Sequence, residues 1–268
     1  DNAGDEAHAL VMLTLSLPFE VPAYVYAAAL TAPERDRLAK RLHRRIHDRV
    51  PLPYVTGQAF FCGLPFSVDP RVLIPRSPIA ELIESRFDPY VALPEGARVL
   101  DMCTGGGCLA IAAAVWHPDI TVDAVDIDSG ALAVARDNVA RHDVADRVNL
   151  VQSDGFGAVP KDRRYDLIIA NPPYVPTSSM ATLPAEYTHE PSLALEAGSD
   201  GLDLARQLMR EAPSFLAPDG ALLMEVGEAA AALIEDTGPL PLVWCEFERG
   251  GDGVFVVDAA SLNAARAT

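Results

Sequence analysis

The sequence predicts an α/β protein built on a doubly wound, mostly parallel seven-stranded sheet that ends in an antiparallel hairpin. Three observations predict it. From Arg98 onward, short β-branched apolar runs alternate with longer helical patterns, the rhythm of a parallel sheet covered on both faces. A glycine turn, Gly105-Gly106-Gly107, joins the first of these runs to a helix. The last two runs are separated by Glu248-Arg249-Gly250-Gly251-Asp252-Gly253, which reads as a hairpin turn.

In order along the chain, residues 1–57 read as an N-terminal, mostly helical segment. The chain opens at Asp1 with neither an initiator Met nor a basic-then-apolar leader, so this segment is expected to be incomplete, with natural N-terminal residues missing from it. Up to residue 32 the pattern is weak, interrupted by Pro18 and Pro22, and is expected to be irregular with one short helix at most. Thr31-Ala32-Pro33-Glu34 then has the form of a capping box. Leu38, Leu42, Ile46 and Val50 make one apolar stripe on the helix it opens, and Pro51 and Pro53 end it. Residues 58–90 read as a linking unit: a hairpin over 59–69 around Gly63, a short strand Val72-Leu73-Ile74, and a helix opening at Pro75-Arg76-Ser77-Pro78 and running to about Phe87.

Residues 91–268 form the main unit. Strands are expected at 98–101, 121–126, 148–152, 165–170, 221–226, 242–247 and 254–257. Helices are expected at 108–116, 130–141, 202–215 and 228–236, with a long loop before residue 202.

Composition narrows the class. Half of the residues are hydrophobic, yet no apolar run approaches the ~18 residues of a membrane span, so no membrane partner is expected. Cys62, Cys103, Cys108 and Cys245 form no Cys-x-x-Cys pair and no metal-like spacing with histidine, which fits free thiols in a reducing cytoplasm and no bound metal. Net charge is −17, unfavourable for non-specific nucleic-acid binding and complementary to a basic partner. It is unevenly spread. Residues 33–50 hold seven Lys/Arg against three acids, a +4 stretch that leaves −21 on the remainder. That stretch reads as a solvated helix face or, alternatively, as a contact for RNA.

The cofactor reading rests on strand ends. Asp101-Met102-Cys103-Thr104-Gly105-Gly106-Gly107 leads into a helix N-terminus, where the backbone turns sharply and favours an anionic group. Gly105-x-Gly107-x-x-Ala110 also fits a dinucleotide fingerprint, with Asp126 placed for a ribose diol. A carboxylate at Asp101 pairs with an ammonium group but repels a pyrophosphate. Asp126, followed by Ile127, can accept both ribose hydroxyls, and Asp154, followed by Gly155, can accept from an adenine amine. An amino-acid head, a ribose and an adenine without phosphate describe S-adenosylmethionine.

Asn171-Pro172-Pro173-Tyr174 follows the strand 165–170, at the sheet edge where open α/β folds bind ligands. Prolines offer carbonyls and no N–H, and a residue before proline is held extended, so Asn171 and the Pro172 carbonyl are fixed acceptors. A carboxamide or base amine is a poor nucleophile because its lone pair is delocalised. Two acceptors that take its N–H groups orient the lone pair and stabilise developing positive charge. Tyr174 can pack on the flat group and exclude water. Asn171, Pro172 and Tyr174 are therefore the expected catalytic residues, with Pro173 completing the substrate-holding segment.

This pattern resembles the amino-methyltransferases. Asn-Pro-Pro-Tyr is shared by DNA adenine or cytosine amino-methyltransferases and by protein N5-glutamine methyltransferases. The flanks are similar to the second group: Tyr54-Val55-Thr56-Gly57, Phe60-Phe61-Cys62-Gly63-Leu64-Pro65-Phe66, Val72-Leu73-Ile74-Pro75-Arg76, and His189-Glu190-Pro191-Ser192-Leu193-Ala194-Leu195 before Gly198-Ser199-Asp200-Gly201-Leu202. The likeness covers roughly residues 50–258. Within the group, Arg76-Ser77-Pro78-Ile79 and Glu186-Tyr187-Thr188-His189-Glu190-Pro191 look like the branch that methylates a glutamine of large-subunit ribosomal protein L three, rather than the release-factor branch.

The resemblance implies a Rossmann-like class I S-adenosylmethionine-dependent methyltransferase fold with an N-terminal helical domain for substrate recognition, and S-adenosylhomocysteine as product. It implies that Asp101 to Gly105, Asp126 and Asn171 contact the cofactor, and that Asn171 to Tyr174 hold the substrate glutamine. Gly155 departs from release-factor relatives, where an aromatic residue can stand near the adenine. Arg76 and Glu190 are read as loop anchors. Competing readings are a DNA amino-methyltransferase, a nicotinamide dehydrogenase based on the glycine fingerprint, and a non-catalytic ribosome-assembly factor using the basic helix.

Overall fold

The computed structural model describes residues 2–266. The chain start at Asp1 and the last two residues of the main unit lie outside them. In the first stretch, expected to be irregular with one short helix, α1 spans Ala3–Leu15, a helix of 13 residues. Asn2 caps it, its Oδ1 accepting from Gly4 N at 2.8 Å and Asp5 N at 3.0 Å. α2 spans Ala32–Ile46 and begins at the expected capping box, where the Glu34 carboxylate accepts from Thr31 N and Thr31 Oγ1, each at 2.7 Å.

Its apolar stripe is less buried than its spacing suggests. Val50, beyond the helix, is buried, while Leu42 and Ile46 are 46% and 56% exposed. Pro51 and Pro53 do more than stop a helix: they flank the start of α3, Leu52–Thr56, where proline fits the first turn because no intrahelical N–H is needed there.

β1 (Gln58–Phe61) and β2 (Leu64–Ser67) form the expected hairpin, and α4 spans Ile79–Glu84. Val72-Leu73-Ile74 is not a strand. Its backbone instead serves tertiary contacts, with the Val72 carbonyl accepting from Tyr54 Oη at 2.5 Å.

The main unit follows as β3 (Arg98–Met102), α5 (Cys108–Trp116), β4 (Thr121–Asp126), α6 (Ser129–Arg141), β5 (Val148–Gln152), β6 (Tyr165–Ala170), α7 (Asp203–Glu211), β7 (Leu216–Glu225), α8 (Ala230–Thr237), β8 (Val243–Trp244), β9 (Val254–Asp258) and α9 (Ala259–Arg266). Three 3₁₀ turns fill the loop between β6 and α7. α9 extends beyond the elements read from sequence, and β8 keeps only two of its six expected residues. The sheet order is β5-β4-β3-β6-β7-β9-β8, parallel from β5 to β7 and antiparallel at β9 and β8.

Strand alternation divides the core. Val99, Leu167, Ile169 and Leu223 pack with α4 and α5, while Leu100, Ile168, Leu222 and Met224 pack with α7, α8 and α9. The sheet is thus buried on both faces, which is why its central strands read as continuous apolar runs.

Candidate active site

The C-terminal ends of β3, β4, β5 and β6 converge, because parallel register aligns Met102 with both Val125 and Ala170. Backbone bonds tie these ends together. Thr104 N donates to the Val125 carbonyl at 2.9 Å, and Ser153 N donates to the Asp126 carbonyl at 2.9 Å. A cavity of about 420 Å³ opens there, within the range of small-ligand sites.

Of the residues singled out in the sequence, Met102, Cys103, Gly105, Asp126, Ile127, Asp154, Gly155, Asn171 and Pro173 line this cavity. Asp101, Thr104, Gly107, Pro172 and Tyr174 stand outside its wall. Gly107 is required by packing: its φ is +83°, and a Cβ there would lie 3.0 Å from Ile111 Cδ1 and 3.3 Å from Ala135 Cβ. That contact lets α5 and α6 close behind the glycine turn.

The carboxylates differ in environment. Asp101 is fully buried; its Oδ2 accepts from Thr104 Oγ1 at 2.6 Å and Ala110 N at 3.2 Å, while its Oδ1 has no partner among the described residues. Burial pushes its carboxyl up to about 7, against the pull of those two donors, and the nearby Asp126 adds to the rise. Asp126 accepts from Gly105 N at 2.8 Å and Asp128 N at 2.9 Å, one on each oxygen. Burial raises it, and these N–H groups oppose the rise. Asp154 is exposed on a turn ordered by Ser153 Oγ, which accepts from Ala158 N at 2.8 Å.

Asp126 and Asp154 present acceptor lone pairs to the cavity, as a ribose diol and an adenine amine of S-adenosylmethionine require, while the unpartnered Asp101 Oδ1, suited to an ammonium, lies buried behind the cavity wall. Beyond β6, no described residue hydrogen-bonds the Asn171 carboxamide or the Pro172 carbonyl. Both remain available as acceptors.

Three features escaped the sequence reading. Gln207 of α7 lines the cavity, and its Nε2 lies 3.1 Å from where a Cβ on Gly155 would stand. Asn138 of α6 is fully buried and ties the hairpin to the glycine turn: its Oδ1 accepts from Ser67 N at 2.7 Å, and its Nδ2 donates to Ser67 O at 3.1 Å and Gly106 O at 2.9 Å. Tyr174 Oη donates to Glu225 Oε1 at 3.0 Å, directing this side chain to the end of β7. An exposed-looking Asn on a helix or an acid at a strand end carries no local sign of such distant partners.

The loop after Tyr174 is anchored on both sides. Glu190, with its side chain 3% exposed, pairs with Arg76 at 2.7 Å and accepts from Ile74 N at 3.2 Å. The Arg76 guanidinium lies 5.0 Å from the Tyr187 ring centroid. Glu186 pairs with Arg49 at 2.6 Å and Arg45 at 3.3 Å, so part of the basic helical stretch is spent inside the molecule. Among the described residues no cluster of three or more His, Cys, Asp or Glu is placed to hold a metal ion, and no helix is long and apolar enough to cross a membrane.

Known proteins share this fold. The Methyltransferase small domain family matches residues 85–186. A solved methyltransferase from Pyrococcus furiosus has a TM-score of 0.52 at 18% identity over 85% of this chain and 99% of that one. The hMettl16 catalytic domain in complex with MAT2A 3'UTR hairpin 6 has a TM-score of 0.54 at 16% identity over 84% of this chain and 81% of that one. At these identities the likeness concerns the fold, that of class I methyltransferases.

Sequence likeness goes further. The ribosomal protein uL3 glutamine methyltransferase of Francisella tularensis is 41% identical over 254 residues, covering 94% of this chain and 81% of that protein. The one from Xanthomonas campestris pv. campestris is 48% identical over 265 residues, 98% of this chain and 85% of that protein. Identity of this order along nearly the whole chain means that it belongs to the family of ribosomal protein uL3 glutamine methyltransferases.

Proposed function

We propose that this chain transfers a methyl group from S-adenosylmethionine to the side-chain amide nitrogen of a glutamine in ribosomal protein uL3, leaving S-adenosylhomocysteine. The observation that carries the reading is the pair of uncommitted acceptors, Asn171 and the Pro172 carbonyl, directly past β6 and beside the cavity that Asp126 lines. Relatives at 48% and 41% identity are named for this reaction.

Asp101 Oδ1 would hold the ammonium of the cofactor, Asp126 its ribose hydroxyls, and Asp154 its adenine amine, with Met102 to Gly105, Ile127 and Gly155 shaping the pocket. When bound, S-adenosylmethionine supplies an electrophilic methyl group on a positively charged sulfur. Asn171 Oδ1 and the Pro172 carbonyl would each accept one N–H of the glutamine amide, turning its lone pair outward and stabilising positive charge on nitrogen. Pro173 and Tyr174 would keep this segment rigid and dry. No charged general base is needed at the outset, since the nitrogen loses its surplus proton after transfer.

Residues 1–57 would serve substrate recognition, residues 58–90 would link, and residues 91–268 would catalyse. The −21 charge outside the basic stretch suits a basic ribosomal protein. Of the α2 cations only Arg45 makes an ion pair among the described residues; Arg35 and Arg41 donate to the Leu30 carbonyl and Thr14 Oγ1, and Arg37, Lys40 and Arg44 would be free to meet rRNA in an assembly intermediate. Four free cysteines suit the reducing cytoplasm. Incubation of the chain with purified uL3, and separately with uL3 in ribosomal particles, with labelled cofactor tests the reading. Label on a glutamine side chain is expected, stronger for free or early-assembly uL3; strong preference for mature ribosomes would contradict the assembly role.

A further inference from the structure

We infer that Glu225 is a positioning residue for methyl transfer, fixing the Asn171–Tyr174 segment through the Tyr174 hydroxyl while Ser77 fixes Glu225 in turn. The inference rests on the proposed role of that segment in holding the glutamine amide. Three distant parts of the chain meet here: Glu225 ends β7, Tyr174 follows β6, and Ser77 precedes α4.

Glu225 is 5% exposed and makes no ion pair among the described residues. Its two oxygens accept from two hydroxyls, Oε1 from Tyr174 Oη at 3.0 Å and Oε2 from Ser77 Oγ at 2.5 Å. Ser77 Oγ is itself held, accepting from Ile79 N at 3.2 Å. Burial pushes the Glu225 carboxyl up, and the Ser77 and Tyr174 hydroxyls together with the charge of the nearby Arg76 only partly offset this, so a buried carboxylate with no direct ion pair is costly and its retention at the substrate end of the sheet calls for a use. Register supplies one. β6 and β7 pair through Ala170 and Met224, which puts Glu225 one step past that pair, level with Asn171.

The rest of Tyr174 is fixed by close backbone. A Cβ on Gly227 would lie 2.7 Å from Tyr174 Cε2, and one on Gly201 would lie 2.2 Å from the Tyr174 carbonyl oxygen. Ring, carbonyl and hydroxyl are each located, and only the hydroxyl is located by an ionisable side chain. A carboxylate has no proton of its own to give and accepts on both oxygens, so both hydroxyls must donate and the tyrosine has one orientation. Loss of that fixed point lets the segment carrying the two amide acceptors relax, and small misplacements of such groups slow a reaction steeply.

The test uses the full chain with purified uL3 and S-adenosylmethionine, measuring kcat, KM for uL3, cofactor affinity by calorimetry, and Tm. Glu225→Ala is expected to lower kcat about tenfold or more, the loss of one charge-assisted hydrogen bond, with cofactor affinity changed less than about twofold. Glu225→Gln keeps an acceptor for Tyr174 and a donor for Ser77, and is expected to recover activity to within about threefold. Tyr174→Phe is expected to match Glu225→Ala, and the double variant to lose no more than the worse single one.

If Glu225→Ala does not fold, Ser77→Ala carries the test, with kcat reduced at retained cofactor affinity. A variant with lowered Tm but kcat within about twofold of the parent overturns the inference and assigns Glu225 to stability alone. So do additive losses in the double variant, or equal loss of cofactor binding. A parent chain that leaves uL3 unmethylated overturns the functional reading and the inference with it.

Discussion

Replacing Asp101 with Asn tests the cofactor site through its electrostatics. In the chain without cofactor, burial holds the Asp101 carboxyl near 7 instead of its ordinary 3.8. The folded chain therefore keeps a proton that the unfolded chain releases from about pH 4 upward. Stability contributed by this group is greatest below pH 4, falls as pH rises, and is fully lost above about 7. At 1.36 kcal/mol per pH unit the loss amounts to at most about 4 kcal/mol, roughly 10 °C in Tm for a chain of this size. An asparagine stays neutral throughout. Relative to the parent, Asp101→Asn should therefore gain stability between pH 4 and 8 by up to that amount.

Cofactor binding should run the other way. An ammonium placed at the unpartnered Oδ1 favours the carboxylate, so parent affinity should rise about tenfold per pH unit up to about 7 and then level. Asp101→Asn should bind S-adenosylmethionine more weakly at pH 8 and lose that slope. Thermal melts and calorimetry at pH 5, 6, 7 and 8 measure both effects. Superimposable pH profiles for parent and variant would refute the assignment of the ammonium to Asp101.

Two further perturbations probe the frame around the site. Asn138→Ala removes three hydrogen bonds from a fully buried position and unpairs Ser67 N, so a loss of about 2–3 kcal/mol is expected in denaturant melts. A loss below about 0.5 kcal/mol would show that the hairpin holds the glycine turn without it. Glu190→Ala leaves Arg76 unpaired beneath the loop after Tyr174; because Arg76 is part exposed, about 1–3 kcal/mol is expected, with KM for uL3 raised more than cofactor affinity is lowered. Proteolysis within residues 177–198 should speed up in that variant, and unchanged cleavage would deny the anchor.

What could be read from sequence and what could not follows from range of interaction. The strand-end positions of Asp101, Asp126 and Asn171 were legible because a parallel strand, its turn and the next helix are contiguous, so their ends are marked locally by glycine and proline. α2 was legible through Thr31 and Glu34, three residues apart. α1 was not, because Leu10 and Met12 bury against elements elsewhere in the chain and leave little stripe in a short segment. α3 was hidden by its prolines, which end one helix and permit the start of the next within three residues.

The supporting contacts were the least legible part. Ser77 and Glu225 are 148 residues apart, and Asn138 and Ser67 are 71 apart. Only folding makes them neighbours. The basic stretch shows the opposite failing: its charge was plain, but Arg45 pairs with Glu6 and Glu186 and Arg49 with Glu186, which no count of charges reveals.

Tandem mass spectrometry of uL3, after incubation with labelled S-adenosylmethionine and either the parent chain or Asn171→Ala, bears most directly on the site. With the parent, one methyl group on the side-chain nitrogen of a glutamine is expected. With Asn171→Ala, turnover should fall at least about a hundredfold while cofactor affinity stays within a few-fold, since the lost acceptor acts on the amide in the transition state. Methylation undiminished by Asn171→Ala, or label found on lysine in place of glutamine, would contradict the assignment of Asn171 and Pro172 as the holders of the reacting amide.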